Sequence, residues 1–217
     1  MYSILSWKDT AGEYYSSVDS FYEIEEDLID VLFWGSSHCY CSINNSRIWI
    51  DYGISNFSMA ISGQDLAGTY HSFKEALKTQ SPEVVCVEVF GAIFDGYLIE
   101  GNRYRNILPF KLSQNYYSAV MDMVEEDKRM DYLLKWPIIH TRYKELKAED
   151  FVEPKTYIGY RSEFQRQGVE EIAPYTGIES APMSENGEKW LREIIALAEE
   201  NDIELRFFCG TLRSIGI

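Results

Sequence analysis

Histidine is scarce in this chain: only His38, His71 and His140 are present in 217 residues. Cysteine is nearly as scarce, with four residues, so no disulfide framework is legible. Cys86 in "EVVCVEVF" and Cys209 in "ELRFFCG" read as small core residues. Cys39 and Cys41, beside His38, form a fragment of a zinc site without the second cluster such a site needs, so neither metal nor other cofactor is expected. Positive charge is short as well. Twenty Lys and Arg face 35 Asp and Glu, for a net charge of -15, which removes the basic footprint of a nucleic-acid binder and disfavours anionic lipid. No run of 18 apolar residues offers a membrane-spanning helix. The opening "MYSILSWKDTAGEYY" lacks the basic and apolar regions of a signal peptide, and the compartment stays open.

What is present suits a folded α/β domain. Apolar residues make up 46% of the chain, enough at this length for a sizeable core. Aromatics reach 15%, a composition that serves a core and also suits stacking on carbohydrate. After a polar, aromatic lead-in over residues 1–22, "DLIDVLFWGSS" reads as a buried strand that stops at glycine. "NSRIWIDYG" reads as a short helix ending at Gly53, and "ISNFSMAISG" as a second strand. In residues 65–79, Leu66, Tyr70, Phe73 and Leu77 make one apolar helical stripe, which leaves His71 on the flank in solvent. "SPEVVCVEVFG" then supplies a third strand, whose unbroken apolar run fits a parallel sheet covered on both faces. Strand–helix–strand in this rhythm is a βαβ unit. Strands are thus expected at 30–34, 57–61 and 83–89. Residues 92–183 read as an insertion, with helical segments such as "NYYSAVMDMVEEDKRMDYLLKW", a break at Pro137, and a loop-like stretch from "EDFVEP" to "SAPM". "EGNRYRN" places Arg103 and Arg105 in a loop, available to an anion or to local carboxylates. A last helix, with Trp190, Leu191, Ile194, Leu197 and Ala198 on one face, leads to a core strand at 203–209.

In an open α/β sheet, ligands bind outside the carboxyl ends of the strands. Here those ends carry Gly35-Ser36-Ser37-His38, Ser62-Gly63-Gln64-Asp65 and Glu88-Val89-Phe90-Gly91. A serine directly after a strand, at a helix start, is placed as a nucleophile whose own N–H and helix dipole favour an oxyanion. Gly63 can bring a second N–H close, and Gln64 a side-chain donor. The same residues also serve as strand-ending turns, and the spacing alone does not separate the two.

The ordered set "VLFWGSSH", "ISGQ" and "EVVCVEVFG" resembles the opening half of an SGNH (GDSL-type) hydrolase, in the bacterial branch that carries Gly-Ser-Ser-His and is related to cell-surface O-acetyltransferase and esterase domains. The likeness covers residues 24–91 well and 184–210 loosely. It implies a flavodoxin-like three-layer α/β/α sandwich with a mainly parallel sheet. It also implies Ser37 as nucleophile and Gly63 as the oxyanion glycine; joined to the strand-end reading, this gives an oxyanion hole of Ser37, Gly63 and Gln64, with Ser36, His38 and Glu88 lining the pocket. The third block of the family supplies an Asn to the oxyanion hole, where this chain has "VEVFG". A late Asp-x-x-His supplies the family's base. The chain runs out in "CGTLRSIGI" without one, as though truncated at the C-terminus.

The resemblance therefore implies an ester hydrolase or O-acyltransferase acting on a small ester or an acylated carbohydrate, with turnover slowed by the missing dyad and little changed by Ser37→Ala. The alternative is a non-catalytic binding module of the same fold. His38, adjacent to Ser37, is poorly placed as that serine's base and reads as pocket lining. His140, in the insertion, reads as structural. A sheet cut short leaves an exposed edge strand and invites self-association. In a longer form, the family would place the domain outside the cytoplasm or on a membrane anchor.

Overall fold

The computed structural model describes residues 5, 18, 20–93, 100–151 and 182–209. Most of the lead-in, and residues 152–181 of the loop-like stretch, lie outside them. The strands are β1 (Val31–Trp34), β2 (Asn56–Ser58), β3 (Val84–Glu88) and β4 (Glu204–Phe208). They form one all-parallel sheet in the order β2-β1-β3-β4. The helices are α1 (Ser37–Ser42), α2 (Asn45–Tyr52), α3 (Leu66–Ala76), α4 (Glu100–Ile107), α5 (Gln114–Met123), α6 (Arg129–Leu134), α7 (Trp136–His140) and α8 (Glu185–Glu200). No described helix is long and apolar enough to cross a membrane.

Side chains alternate across the pleat, so the register assigns each residue to a layer. Leu32 lies level with Val85 and Leu205, and Trp34 with Val87 and Phe207. Leu32, Trp34, Val85 and Val87 share the main core with Phe73 and Ala76 of α3 and with Trp190, Ile194 and Ala198 of α8. Trp34 also donates from Nε1 to Ser72 Oγ at 2.8 Å, tying the central strand to α3. On the opposite face, Phe33 packs with Cys39 of α1 and Ala60, joined by Ile43, Ile48, Cys86 and Phe208. The result is a three-layer α/β/α arrangement around a parallel sheet, and β2-β1-β3-β4 is the strand order of the flavodoxin-like type.

Local sequence explains the element ends. Asn44 caps α2 by accepting from Arg47 N, and Gly53 closes it in the left-handed region at φ 69°. β2 is shorter than the expected 57–61 because its partner β1 ends at Trp34. The chain nevertheless continues the ladder, with Met59 N donating to Phe33 O and Ile61 N to Gly35 O. Helices from the insertion join the core: α5 packs on α3, and Tyr116, Ala119, Val120 and Met123 are buried there. Pro137 stands in the first turn of α7, where its missing N–H costs nothing.

Four expectations change. His71 is not in solvent; it is fully buried, because α5 and α8 pack over the flank of α3. Arg103 and Arg105 lie on α4 rather than in a loop, and Arg103 is buried in an ion pair with Glu125, Nη2 to Oε1 at 2.8 Å. β4 is not a core strand. Among the described residues it forms one edge of the sheet, with Phe207 44% exposed. Cys86 is half-buried and Cys209, just past β4, is exposed, so only Cys39 is a core cysteine.

The start of α8 is pressed onto the chain after β3. Ser184 N donates to Ala92 O at 3.0 Å, and Ser184 Oγ caps Gly187 N at 2.8 Å. A Cβ on Gly187 would collide with the Ala92 carbonyl. Helix propensity alone favours Gly187→Ala by about 1 kcal/mol. Backbone-on-backbone overpacking is expected to win, leaving a net loss of about 1–3 kcal/mol in urea unfolding.

Candidate functional site

The carboxyl ends of β1, β2 and β3 are knit into one surface. Gly35 O accepts from Ile61 N at 3.1 Å, which joins the β1 end to the turn that carries Gly63. That turn closes with Gln64 N donating to Ile61 O at 2.9 Å, and Gly63 takes φ 62° within it. Gly91, after β3, lies against the backbone of Gln64 and Asp65. The three segments singled out in the sequence therefore meet at one edge of the sheet.

Glu88 is the anchor of that edge. Its side chain is 2% exposed and accepts three bonds: Ser36 N at 3.2 Å and Ser36 Oγ–H at 2.9 Å, both on Oε2, and Phe90 N at 2.6 Å on Oε1. Its methylene presses on Gly35, where φ is +151° and a side chain would have no room. Ser36 is buried and caps α1, accepting from His38 N at 3.3 Å. His38 Nδ1 lies 3.3 Å from the same Ser36 Oγ, and its ring meets the Phe90 ring edge-on at 4.5 Å. Ser37 is the first residue of α1, half-buried, and among the described residues its hydroxyl is engaged in no hydrogen bond. With six residues, α1 is too short to give the dipole much weight.

Gln64 is buried. Its Oε1 accepts from Ile61 N at 3.3 Å, while Nε2 is buried with no partner among the described residues. An unsatisfied buried donor costs about 1–3 kcal/mol unless an acceptor reaches it. Asp65, next along, caps α3 by accepting from Gly68 N at 2.7 Å. Burial pushes its carboxyl up to about 6, against the opposing pull of the Gly68 bond and the Arg103 charge.

The other titratable groups stand apart from this arrangement. Cys39 is fully buried, and burial, reinforced by Glu88, pushes its thiol well above the ordinary range, so it offers no thiolate. His71 is held between α3 and α5, Nδ1 3.1 Å from Asn115 Oδ1 and Nε2 3.0 Å from Asp122 Oδ2. Burial holds this imidazole below its ordinary value, with both partners opposing. His140 sits in an exposed aromatic row, 5.4 Å ring to ring from Trp136 and from Tyr143. Sequence reasoning missed the Glu88–Ser36 bond. The only signal for it was an acidic residue at the end of an otherwise apolar strand.

No family model matches the chain, and no curated protein matches it.

The raised carboxyl of Asp65 has a definite sign. The folded protein holds this proton more tightly than the unfolded chain, whose carboxyl titrates near 3.8. The resulting stability is present below about pH 4 and lost as pH rises through about 6. Asp65→Asn keeps an equally good cap and removes the ionisation. In denaturant titrations the variant is expected to gain on the parent, by about 3 kcal/mol, between about pH 4 and about pH 7, and to gain nothing further above that.

Proposed function

We propose that this chain is a serine ester hydrolase or O-acyltransferase domain of the SGNH type, acting on an acylated carbohydrate or a similar small ester. Ser37 attacks the acyl carbon. The Ser37 and Gly63 N–H groups and the Gln64 amide face the oxygen on which charge develops. One observation carries the reading. A half-buried serine with an unengaged hydroxyl opens α1 at the sheet edge where three strand ends are locked together by Glu88, Gly35 and Gly91. Rigid placement of this kind is what nucleophilic attack needs, since most of the gain comes from holding the reacting atoms in position. The unpaired Gln64 Nε2 in the neighbouring turn adds a donor in want of an acceptor.

The reading is tested by trapping the acyl group. The 217-residue chain is mixed with p-nitrophenyl acetate, quenched in acid and digested, and the peptides are weighed. An acetyl group on Ser37, lost in a folded Ser37→Ala variant, is the expected result. Acetyl only on lysines, or none on Ser37, would reject the nucleophile and leave a non-catalytic binding module of the same fold.

A further inference from the structure

The hydrogen bonds around Ser36 decide which nitrogen of His38 carries the proton. Both oxygens of Glu88 accept from backbone N–H groups, Oε2 from that of Ser36 and Oε1 from that of Phe90, and as a carboxylate this side chain has no proton to give. The contact at 2.9 Å between Glu88 Oε2 and Ser36 Oγ then requires the serine proton. Ser36 Oγ has no second proton to give. It already accepts from His38 N, and its remaining lone pair meets His38 Nδ1 at 3.3 Å. Two acceptors cannot share that contact, so Nδ1 is the protonated nitrogen. Nε2 is left as a bare acceptor, and no hydrogen bond occupies it among the described residues. The Phe90 ring packs edge-on against this imidazole, with the centroids 4.5 Å apart.

We infer that Glu88 and Ser36 are positioning residues that hold His38 in the Nδ1–H form, and that His38 Nε2 is the proton acceptor for the hydroxyl that attacks an acyl group on Ser37. The inference rests on the ester-hydrolase reading for its substrate, but not for the tautomer. Neighbours on one helical turn do not face each other, so Nε2 does not take the proton of Ser37 directly. In the proposed arrangement an O–H group bridges that offset. In the step, the oxygen of a water or alcohol bonds to the acyl carbon as its proton passes to Nε2. The tetrahedral species then expels Ser37 Oγ, which recovers a proton from Nε2 through a bridging water. The products are a free Ser37 and either a carboxylic acid or a transferred ester, and the imidazole ends as it began. The hydroxyl-bearing partner is thus selected by an acceptor nitrogen, and the acyl oxygen by the donors around Gly63 and Gln64.

Two measurements test this on the intact chain. Long-range proton–nitrogen correlation on imidazole-labelled protein is expected to show His38 with Nδ1 protonated and Nε2 bare. Ser36→Ala should lose that preference, and Ser36→Thr, which keeps the hydroxyl and the cap, should restore it. A proton on Nε2 in the neutral parent would overturn the inference. The second measurement follows loss of acetyl from Ser37 after rapid labelling, in water and with added methanol. Once labelled on Ser37, the His38→Gln variant is expected to release the acetyl group roughly 10²-fold more slowly than the parent, the low end of what general-base assistance supplies. Acceleration by methanol, in the parent only, marks an alcohol acceptor; its absence from the parent, with release still dependent on His38, marks water. Release at the parental rate from His38→Gln would overturn the inference. If Ser37 takes no label at all, the hydrolase reading falls, and the proton-acceptor role falls with it. The tautomer result then stands or falls alone.

Discussion

A single buried carboxylate holds the carboxyl end of the sheet together. Glu88 reaches across from β3 to the backbone and hydroxyl of Ser36, and back to the backbone of Phe90. A carboxylate taken out of water is costly unless its lone pairs are met, and here three donors meet them. The contact works only because residue 35 is glycine, since any Cβ there would run into the Glu88 side chain. Fixing Ser36 in turn fixes the cap of α1 and thus the start of the helix that carries Ser37 and His38. The direction of α1, the setting of the His38 ring and the close approach of the β1 and β3 ends all follow from one side chain.

The two faces of the sheet are built differently. The α3–α5–α8 side is deep, and it contains a polar chain of contacts as well as apolar packing. Tyr22 Oη donates to Glu75 at 2.5 Å, Asn115 Nδ2 donates to Glu75 at 3.0 Å and to the His71 carbonyl at 2.8 Å, and Asn115 Oδ1 meets His71. A network satisfied in this way specifies how α5 sits on α3 more sharply than interchangeable apolar contacts would. The α1–α2 side is thinner. Its core cluster is Phe33, Cys39 and Ala60, and the level of Cys86 and Arg206 remains partly open among the described residues.

Period and punctuation made most of the fold legible. The four strands fall within a few residues of their expected places, and Gly53 ends α2 through the left-handed conformation that its sequence position suggested. The apolar stripe of α3 is the stripe that packs. The misplaced residues have a common cause. His71 and Arg103 are polar residues buried by partners 51 and 22 positions away, and no local pattern reports a partner. β4 reads as core from its composition because composition does not say which strand stands at the edge. At the candidate site, the small residues and their order were visible in the sequence. The Glu88–Ser36–His38 chain was not, because it depends on the register between β1 and β3.

The pairing of β3 with β4 sets the order in which the molecule can be assembled. β1, β2 and β3 are gathered within residues 31–88, but β4 reaches its place only after the whole of residues 89–203 has been looped out. Closure entropy grows only with the logarithm of loop length, about 0.6 kcal/mol for each doubling, so the native state tolerates the excursion. The cost falls on kinetics, where contacts between distant segments form late. The three-strand unit with α3 can therefore gather before α8 and β4, which complete the same core, are brought to it. Their point of attachment is the Ala92–Ser184 contact, which borders the strand-end surface that carries Ser37.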